Sequence, residues 1–348
     1  METITIDPHG GDIYTHRQVQ LDFSVNLNPL GMPEEICRAV AENVRRYDVY
    51  PDPRCRALRE ALAARESVPE DWLCFGNGAA DLIVRIAAAL GPVQALVPAP
   101  TFSEYETAVL RQGGRVRRAP CCEARGVQIT RAFAEAVQPG DRLVFLCNPN
   151  NPTGRLAEPG TVEAALAACA RVGAVLVVDE CFLAFTEGAS CLPLLWSAPN
   201  LIVLRAFTKL YSMAGLRLGY LLCTDPDLRG RVEAAGQCWS VSAPAQVAGL
   251  AALGCRDLPE RTRAFLREER PRVAAALGEI FPCVYPSDAN FLLFRGDSGL
   301  WERTLANGVM LRACGNYPGL DQRYYRIGLK GRAENDELLA LLRAQEET

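Results

Sequence analysis

The sequence predicts an α/β protein: a large domain in which helices sandwich a mostly parallel β-sheet, and a smaller α+β domain. Through the middle of the 348-residue chain, short apolar runs without polar alternation come between helix-like segments. Strands of that kind are typical of a parallel sheet that is buried on both faces. After about residue 255 the alternation stops, which indicates that the second domain begins there.

The large domain is predicted at residues 46–255. Its strands are expected where the apolar runs lie, at residues 95–97, 143–147, 174–178, 201–205 and 218–223. Helices such as one predicted at residues 160–171 connect these strands, as parallel pairing requires. Ligands bind at the carboxyl ends of the strands in open sheets of this type, so functional residues are expected there.

The small domain is predicted to combine both ends of the chain, residues 1–45 and 256–348. A long charged helix is expected at residues 257–281. Strand candidates follow in "ANFLLFR", "GVMLRAC" and "RYYRIGLK", and a last helix is expected from about Ala333.

Composition narrows the class of function. The chain is 49% hydrophobic and 22% charged, with a net charge of −4, which fits a soluble globular protein without a nucleic-acid partner. No apolar run is long enough to cross a membrane and no signal segment is visible, so we expect a cytoplasmic protein. The 14 cysteines are scattered without a C-x-x-C pair, which favours reduced core thiols over disulfides. With His9 and His16 as the only histidines, no histidine-rich metal site is expected.

Lysine is scarce in this chain. Of 37 lysine and arginine residues only two are lysines, Lys209 and Lys330. A partly desolvated amine can lose its proton and add to an aldehyde as a Schiff base, whereas a guanidinium cannot. Lys209 is therefore a candidate nucleophile, and the alternative is an exposed charge on the surface.

Four further motifs follow a predicted strand, precede a predicted helix or lie close to Lys209. A glycine turn, "GNG", ends at Gly78 before a helix, where free N–H groups can bind phosphate. The motif "NPNNPTG", which includes Asn151, ends a predicted strand. "DE" at Asp179 ends a fully apolar strand, where a carboxylate is costly unless it is paired. Arg217 follows Lys209 by eight residues. Each motif also has an explanation without a ligand. "GNG" and "NPNNPTG" could be turns only, "DE" could be a helix cap or a structural ion pair, and Arg217 could be a surface arginine.

In this order, "GNG", "NPNNPTG", "DE" and "TK" followed by "GLRLGY" resemble the fold-type I pyridoxal-phosphate enzymes of the class I/II aminotransferase superfamily. The resemblance implies the fold of those transferases and pyridoxal 5'-phosphate as the cofactor. It makes Lys209 the Schiff-base lysine and Asp179 the partner of the ring nitrogen. Asn151 would bind the ring 3'-oxygen, and Phe102 would stack on the ring.

The resemblance also assigns the cofactor phosphate and the assembly. Gly78, Ala79, Thr208 and Arg217 would surround the phosphate. Tyr50 in "VYPDP" resembles a tyrosine that reaches the phosphate from a second subunit, which implies a homodimer with shared sites.

Two positions depart from the pattern of many relatives. Phe182 stands where a tyrosine binds the 3'-oxygen, which should change the pKa of the cofactor linkage. Ala206 stands where a serine or threonine binds the phosphate, a loss of about 1 kcal/mol or somewhat more.

The terminal segments resemble one branch of the superfamily. "HGGDIY", "LDFSVNLNPLG" and "RACGNYPGLDQRYYRIGL" are similar to the L-threonine-O-3-phosphate decarboxylases of cobalamin biosynthesis, which release CO2 and form 1-aminopropan-2-ol phosphate. Histidinol-phosphate aminotransferases, which share the fold, the cofactor and a phosphorylated substrate, are the alternative. The choice depends on which bond of the substrate α-carbon the site aligns.

A small phosphorylated amino acid requires several donors. Arg326 resembles the arginine that binds the α-carboxylate, and Arg312 in the same segment could take the phosphate. The other candidate substrate residues are His9, Asn26 and Asn151, although His9 could equally be a loop histidine without a partner. Two readings outside enzymology are a cofactor-sensing regulator, which would need an added DNA-binding domain, and a purely structural protein, against which Lys209 argues.

Overall fold

A computed structural model describes residues 9–346 of the protein, without the side chain of Glu346. Residues 1–8 and 347–348 of the predicted small domain lie outside the described residues. No helix in the described range is long and apolar enough to span a membrane.

A seven-stranded sheet forms the centre of the structure. Its strands are β2 (Leu73–Gly76), β3 (Gln94–Ala99), β4 (Arg115–Pro120), β5 (Asp141–Cys147), β6 (Val175–Asp179), β7 (Leu201–Ala206) and β8 (Gly219–Cys223). They lie in the order β2-β8-β7-β6-β5-β3-β4. Strands β3 to β7 pair in parallel, and only β8 runs antiparallel to its neighbours β2 and β7. The predicted mostly parallel α/β sheet is confirmed.

Helices cover both faces of this sheet. They are α2 (Arg56–Glu66), α3 (Gly78–Leu90), α4 (Ser103–Arg111), α5 (Ala132–Glu135), α6 (Thr161–Val172), α7 (Pro226–Ala234) and α8 (Ala243–Gly254). Along β5, Leu143 and Phe145 belong to one buried cluster, whereas Val144 and Leu146 belong to the other. Because successive side chains of a strand point to opposite faces, this alternation shows a hydrophobic core on each side.

Two strands of the sheet are absent from the sequence-based prediction. Strand β4, "RVRRAP", is an edge strand with mostly exposed or half-exposed residues, so it lacks the continuous apolar run of a buried strand. Strand β2 is buried but only four residues long, which leaves little pattern to detect.

A second sheet lies in the C-terminal part of the chain. It contains β9 (Cys283–Val284), β10 (Phe291–Arg295), β12 (Arg312–Ala313) and β13 (Tyr324–Gly328), in the order β12-β13-β10-β9. A separate pair joins β1 (Leu21–Asp22) in parallel with β11 (Val309–Met310). The helices outside the large sheet are α1 (Glu34–Glu42), α9 (Leu258–Ile280), α10 (Leu300–Ala306) and α11 (Arg332–Glu346).

The cysteines are all free thiols, as expected. Eight are buried, but Cys37 and Cys238 are exposed, so the prediction of core thiols is wrong for these two. Cys37 lies in α1, whose buried residue is the neighbouring Ile36, and successive residues of a helix point in different directions. Cys238 lies between α7 and α8, outside the helices and strands.

Candidate active site

A cavity of about 500 Å³ lies at the carboxyl ends of the central parallel strands. Its walls come from the large sheet, from β12 and β13, and from the N-terminal segment. All but two of the predicted site residues line it: His9, Asn26, Ala79, Phe102, Asn151, Asp179, Thr208, Lys209, Arg217, Arg312 and Arg326. The two others are Gly78 and Tyr50.

The two lysines have different surroundings. Lys209 follows the end of β7, and its Nζ lies 5.6 Å from the centre of the Phe182 ring. Desolvation, and then the charge of Arg326, lowers the pKa of Lys209 to about 8. Lys330 instead forms an ion pair with Glu334 at 3.3 Å. Lys209 therefore has the environment of an amine that can lose its proton near neutral pH.

The two carboxylates of the "DE" motif point in different directions. Asp179 lines the cavity and is 4% exposed. Glu180 is also buried but pairs with Arg205 at 2.8 Å outside the cavity lining. The structural ion pair considered for this motif thus describes Glu180, and Asp179 is the carboxylate that a ligand can reach.

Asp179 has no ion-pair partner within the described part of the chain. One of its oxygens, Oδ1, accepts a hydrogen bond from the Cys181 N–H at 2.9 Å, and Oδ2 accepts one from the Tyr105 hydroxyl at 2.7 Å. Burial raises the pKa of Asp179 above its usual value, and these hydrogen bonds oppose the rise. A buried carboxylate of this kind is suited to a cationic ligand.

Tyr105 is a site residue that the sequence reasoning missed. It lies on α4, three residues after Phe102, at a spacing that places both rings on the same side of a helix. That spacing in "PTFSEY" was the available signal, and only the tertiary structure shows that the hydroxyl meets Asp179.

Helix α3 begins in a glycine turn beside the cavity. Gly78 has φ +82°, and a Cβ there would lie 2.5 Å from an Arg217 guanidinium nitrogen. Glycine therefore allows Arg217 to approach the helix start, where Ala79 and Ala80 line the cavity. With Thr208 in the same wall, backbone N–H groups, a hydroxyl and a guanidinium converge, as a phosphate requires.

Two buried arginines face each other on neighbouring strands. Arg312 in β12 is directly opposite Arg326 in β13, and they are 2% and 5% exposed. Arg326 donates to the Asn151 side-chain oxygen and to the Ser24 carbonyl, while burial lowers its pKa. Arg312 donates to the Asn316 side-chain oxygen at 2.9 Å. Two guanidinium groups in one cavity are suited to a ligand with two anionic groups.

The N-terminal segment adds two polar groups. Asn26 is 2% exposed, and its Oδ1 has no hydrogen-bond partner among the described residues, so it is available to a ligand donor. His9 contacts Glu104 at 2.9 Å and lies 5.9 Å from the Phe102 ring. The alternative of a loop histidine without a partner is therefore wrong.

Tyr50 does not line the cavity of its own chain. It is 77% exposed and stacks on the half-exposed Trp239, with ring centres 4.4 Å apart. Tyr50 therefore lies outside the candidate active site of its own chain.

Phe182 and Ala206, the two positions that depart from the superfamily pattern, have apolar side chains in the structure. Phe182 packs edge-on against Phe291 at 5.1 Å and lies beneath the Lys209 amine. Neither Phe182 nor Ala206 supplies a hydrogen-bonding side chain.

Comparison with known proteins covers nearly the whole chain. It is 40% identical to a threonine-phosphate decarboxylase of Salmonella typhimurium, over 96% of this chain and 95% of that protein. The structure resembles the L-threonine-O-3-phosphate decarboxylase of Porphyromonas gingivalis, with a TM-score of 0.85 and 27% identity over 94% of this chain and 100% of the other. It also resembles the histidinol-phosphate aminotransferase of Clostridium acetobutylicum, with a TM-score of 0.87 and 26% identity over 94% and 99% of the two chains.

The family comparison agrees with the geometry of the cavity and with the order of the motifs. The sequence profile described as aminotransferase class I and II matches residues 18–342. Because that match spans most of the chain, the protein belongs to the class I and II aminotransferase family.

Proposed function

We propose that this protein is a pyridoxal-phosphate-dependent decarboxylase that converts L-threonine O-3-phosphate to (R)-1-aminopropan-2-ol O-phosphate and CO2 in cobalamin biosynthesis. The main observation behind this proposal is that the buried residues Arg312 and Arg326 line the same cavity as Lys209. A substrate with a carboxylate and a phosphate matches two guanidinium groups. The 40% identity to a threonine-phosphate decarboxylase supports this branch.

The residues present fit pyridoxal phosphate. Lys209 would hold its aldehyde carbon, Asp179 its ring nitrogen and Asn151 its 3'-oxygen, with Phe102 against the ring. The Asp179 carboxylate, buried without a cationic partner among the described residues, is the observation that favours a protonated ring nitrogen. When bound, the cofactor supplies an electron sink for the bond that breaks at the substrate α-carbon.

The phosphate end of the cofactor fits the start of α3. Gly78, Ala79, Thr208 and Arg217 would surround it, with N–H groups and a guanidinium as donors. Tyr50 would complete the group from a second copy of the chain.

The two arginines would orient the substrate. Arg326 binds the α-carboxylate and Arg312 the phosphate, with Asn26, Asn151 and His9 as further contacts. Since both ends are held, the site decides which bond of the α-carbon breaks. Lys209, with a pKa of about 8, can give and take a proton near neutral pH. Its Nζ would deliver the proton that replaces CO2 at the α-carbon.

The assembly and location form part of the proposal. A homodimer with shared sites, in the cytoplasm, would explain the exposed Tyr50 and Trp239 pair. The division into a large domain at 46–255 and a small domain at 1–45 and 256–348 would place the cavity where the two meet.

Histidinol-phosphate aminotransferase activity is the second candidate, because the structure is equally similar to such an enzyme. Both substrates carry a phosphate, but only the decarboxylase substrate also has a carboxylate on the α-carbon. Arg326 would have no carboxylate to bind in histidinol phosphate, but it would bind the α-carboxylate of the glutamate formed from 2-oxoglutarate. Both reactions therefore need Arg326, and the products separate them.

The deciding experiment compares two assays on the purified protein. We expect CO2 release from threonine phosphate without a keto acid, and no glutamate from histidinol phosphate with 2-oxoglutarate. Threonine without phosphate should react roughly 100-fold more slowly or worse, since the phosphate contacts orient the substrate. Sustained turnover in the second assay alone would move the protein to the aminotransferase branch.

Arginine variants sharpen this test. Arg312→Ala should lower kcat and raise KM, with a loss of roughly 100-fold in kcat/KM. Arg295→Ala is the matched control, because Arg295 lies in β10 of the same sheet and outside the cavity lining. An Arg312→Ala protein with unchanged kinetics would contradict the substrate assignment.

A further inference from the structure

Tyr105 connects two elements of the site. It is fully buried on α4 and stacks on Phe145, with ring centres 4.7 Å apart and planes at 11°. It also meets Phe102 edge-on at 5.6 Å. The ring is therefore held on two sides, and its hydroxyl can occupy few positions other than the one seen, 2.7 Å from Asp179 Oδ2.

The Tyr105 hydroxyl is a donor in this contact. Burial, and then the charge of Asp179, raises the pKa of Tyr105 well above its usual value. The phenol therefore keeps its proton and offers it to the carboxylate. A neutral hydroxyl that is completely buried needs such an acceptor, because an unmade hydrogen bond there is expensive.

The ionised form of the Asp179 carboxylate is stabilised by hydrogen bonds from neutral donors. Its carboxylate accepts hydrogen bonds from the Tyr105 hydroxyl and from the Cys181 N–H. The neighbouring thiols of Cys147 and Cys181 stay protonated, since burial raises the pKa of both. Lys209 is the nearby cation that contributes to the electrostatics of Asp179 and Cys181, but Lys209 is committed to another atom of the proposed cofactor. Desolvation would otherwise favour the neutral acid.

We propose that Tyr105 is a positioning residue that keeps Asp179 ionised and fixes the carboxylate toward the ring nitrogen of the cofactor. Helix α4 then serves the cofactor twice, through Phe102 at its start and through Tyr105 one turn later. The inference rests on the proposed cofactor, but it concerns a residue to which the superfamily motifs assign no role.

The test is cofactor binding to cofactor-free protein, measured by absorbance titration. Tyr105→Phe removes only the hydroxyl and should weaken pyridoxal phosphate binding roughly 10-fold or more, as expected for a lost hydrogen bond to a charged group. An analogue whose ring nitrogen is replaced by carbon has nothing for Asp179 to hold. The variant and the wild type should bind this analogue equally.

Tyr325→Phe is the matched control. Tyr325 is also buried, and its hydroxyl donates a 2.7 Å hydrogen bond to the Asp297 carbonyl; neither residue lines the cavity. It should bind both probes as the wild type does. Equal binding of pyridoxal phosphate by Tyr105→Phe and wild type would overturn the inference, and so would an equal loss for both probes, which would indicate a structural role.

A double variant separates the contact with Asp179 from any other effect of the change at Tyr105. In an Asp179→Asn background the same change should cost no further affinity, because Tyr105 acts through the carboxylate. Full additivity of the two losses would contradict the proposal. Wild-type protein that binds no pyridoxal phosphate would instead refute the proposed function, so the two failures are distinguishable.

Discussion

Lys209 is prepared for its proposed role by its surroundings. Desolvation and the charges of Arg326 and Arg217 lower its pKa to about 8, whereas the charge of Asp179 opposes this change. At pH 7 about one tenth of such an amine is unprotonated, compared with roughly 3 in 10,000 for an ordinary lysine with a pKa of about 10.5. The site thus increases the reactive fraction more than a hundredfold.

The rate of cofactor attachment should follow this ionisation. Because only the neutral amine adds to an aldehyde, the rate should rise about tenfold between pH 7 and pH 9 and then level off, which stopped-flow absorbance would measure. Borohydride should fix the cofactor on a peptide that contains Lys209. Label on Lys330, or a rate that still rises tenfold per unit at pH 10, would contradict the assignment.

At the scale of elements, the close approach of β8 to α3 shapes the proposed phosphate site. Gly219 begins β8 and lies against the first turn of α3. A Cβ at Gly219 would be 2.6 Å from the Ala79 backbone nitrogen, which is a contact that real side chains do not make. The contact between Gly219 and the Ala79 backbone therefore determines the position of the first N–H groups of α3.

Gly219→Ala should push the start of α3 out of place. We expect the free energy of unfolding to fall by about 1–3 kcal/mol, as for other overpacked sites, and pyridoxal phosphate binding to weaken as well. Urea unfolding and an absorbance titration would measure both. Gly215→Ala, in the segment that leads into β8, is the control, because nothing lies within 4 Å of its Cβ position. The free energy of unfolding should change by less than about 0.5 kcal/mol for this variant. Equal effects of the two changes would refute this account.

At the scale of the whole molecule, the cavity is lined by residues that are far apart along the chain. Asp179 ends β6 of the large sheet, and Asn151 and Lys209 lie in the segments that follow β5 and β7. Strands β12 and β13 contribute Arg312 and Arg326. The hydrogen bond from Arg326 to Asn151 joins the two groups directly. The proposed cofactor and substrate residues thus meet in one cavity at the end of the large sheet.

A second copy of the chain is expected to complete the site. Tyr50 is exposed and outside the cavity of its own chain, so its proposed contact with the cofactor phosphate must be made across a dimer interface. Mixing Tyr50→Phe chains with Lys209→Ala chains should restore activity in hybrid dimers, each with one intact site. Each variant alone is the control. Full activity in a species that light scattering shows to be a monomer would contradict the shared site.

The sequence alone determined the class of fold and most of the candidate site. Buried parallel strands are continuous apolar runs, and the motifs at Asn151, Asp179 and Lys209 follow such runs. Their positions therefore placed these residues at the same edge of the sheet. Local pattern carries this information because the period of side chains in strands and helices is fixed by the backbone. Strand β4 was not predicted, because this edge strand is mostly exposed and has no continuous apolar run.

Only the tertiary structure decided the contacts that give these residues their chemistry. It placed Asp179 in the cavity and turned Glu180 to Arg205, although the two are adjacent in sequence. It also brought the Tyr105 hydroxyl to Asp179, 74 residues away. Desolvation and hydrogen bonding depend on neighbours that are distant along the chain, and the pKa of a buried group is set by those neighbours.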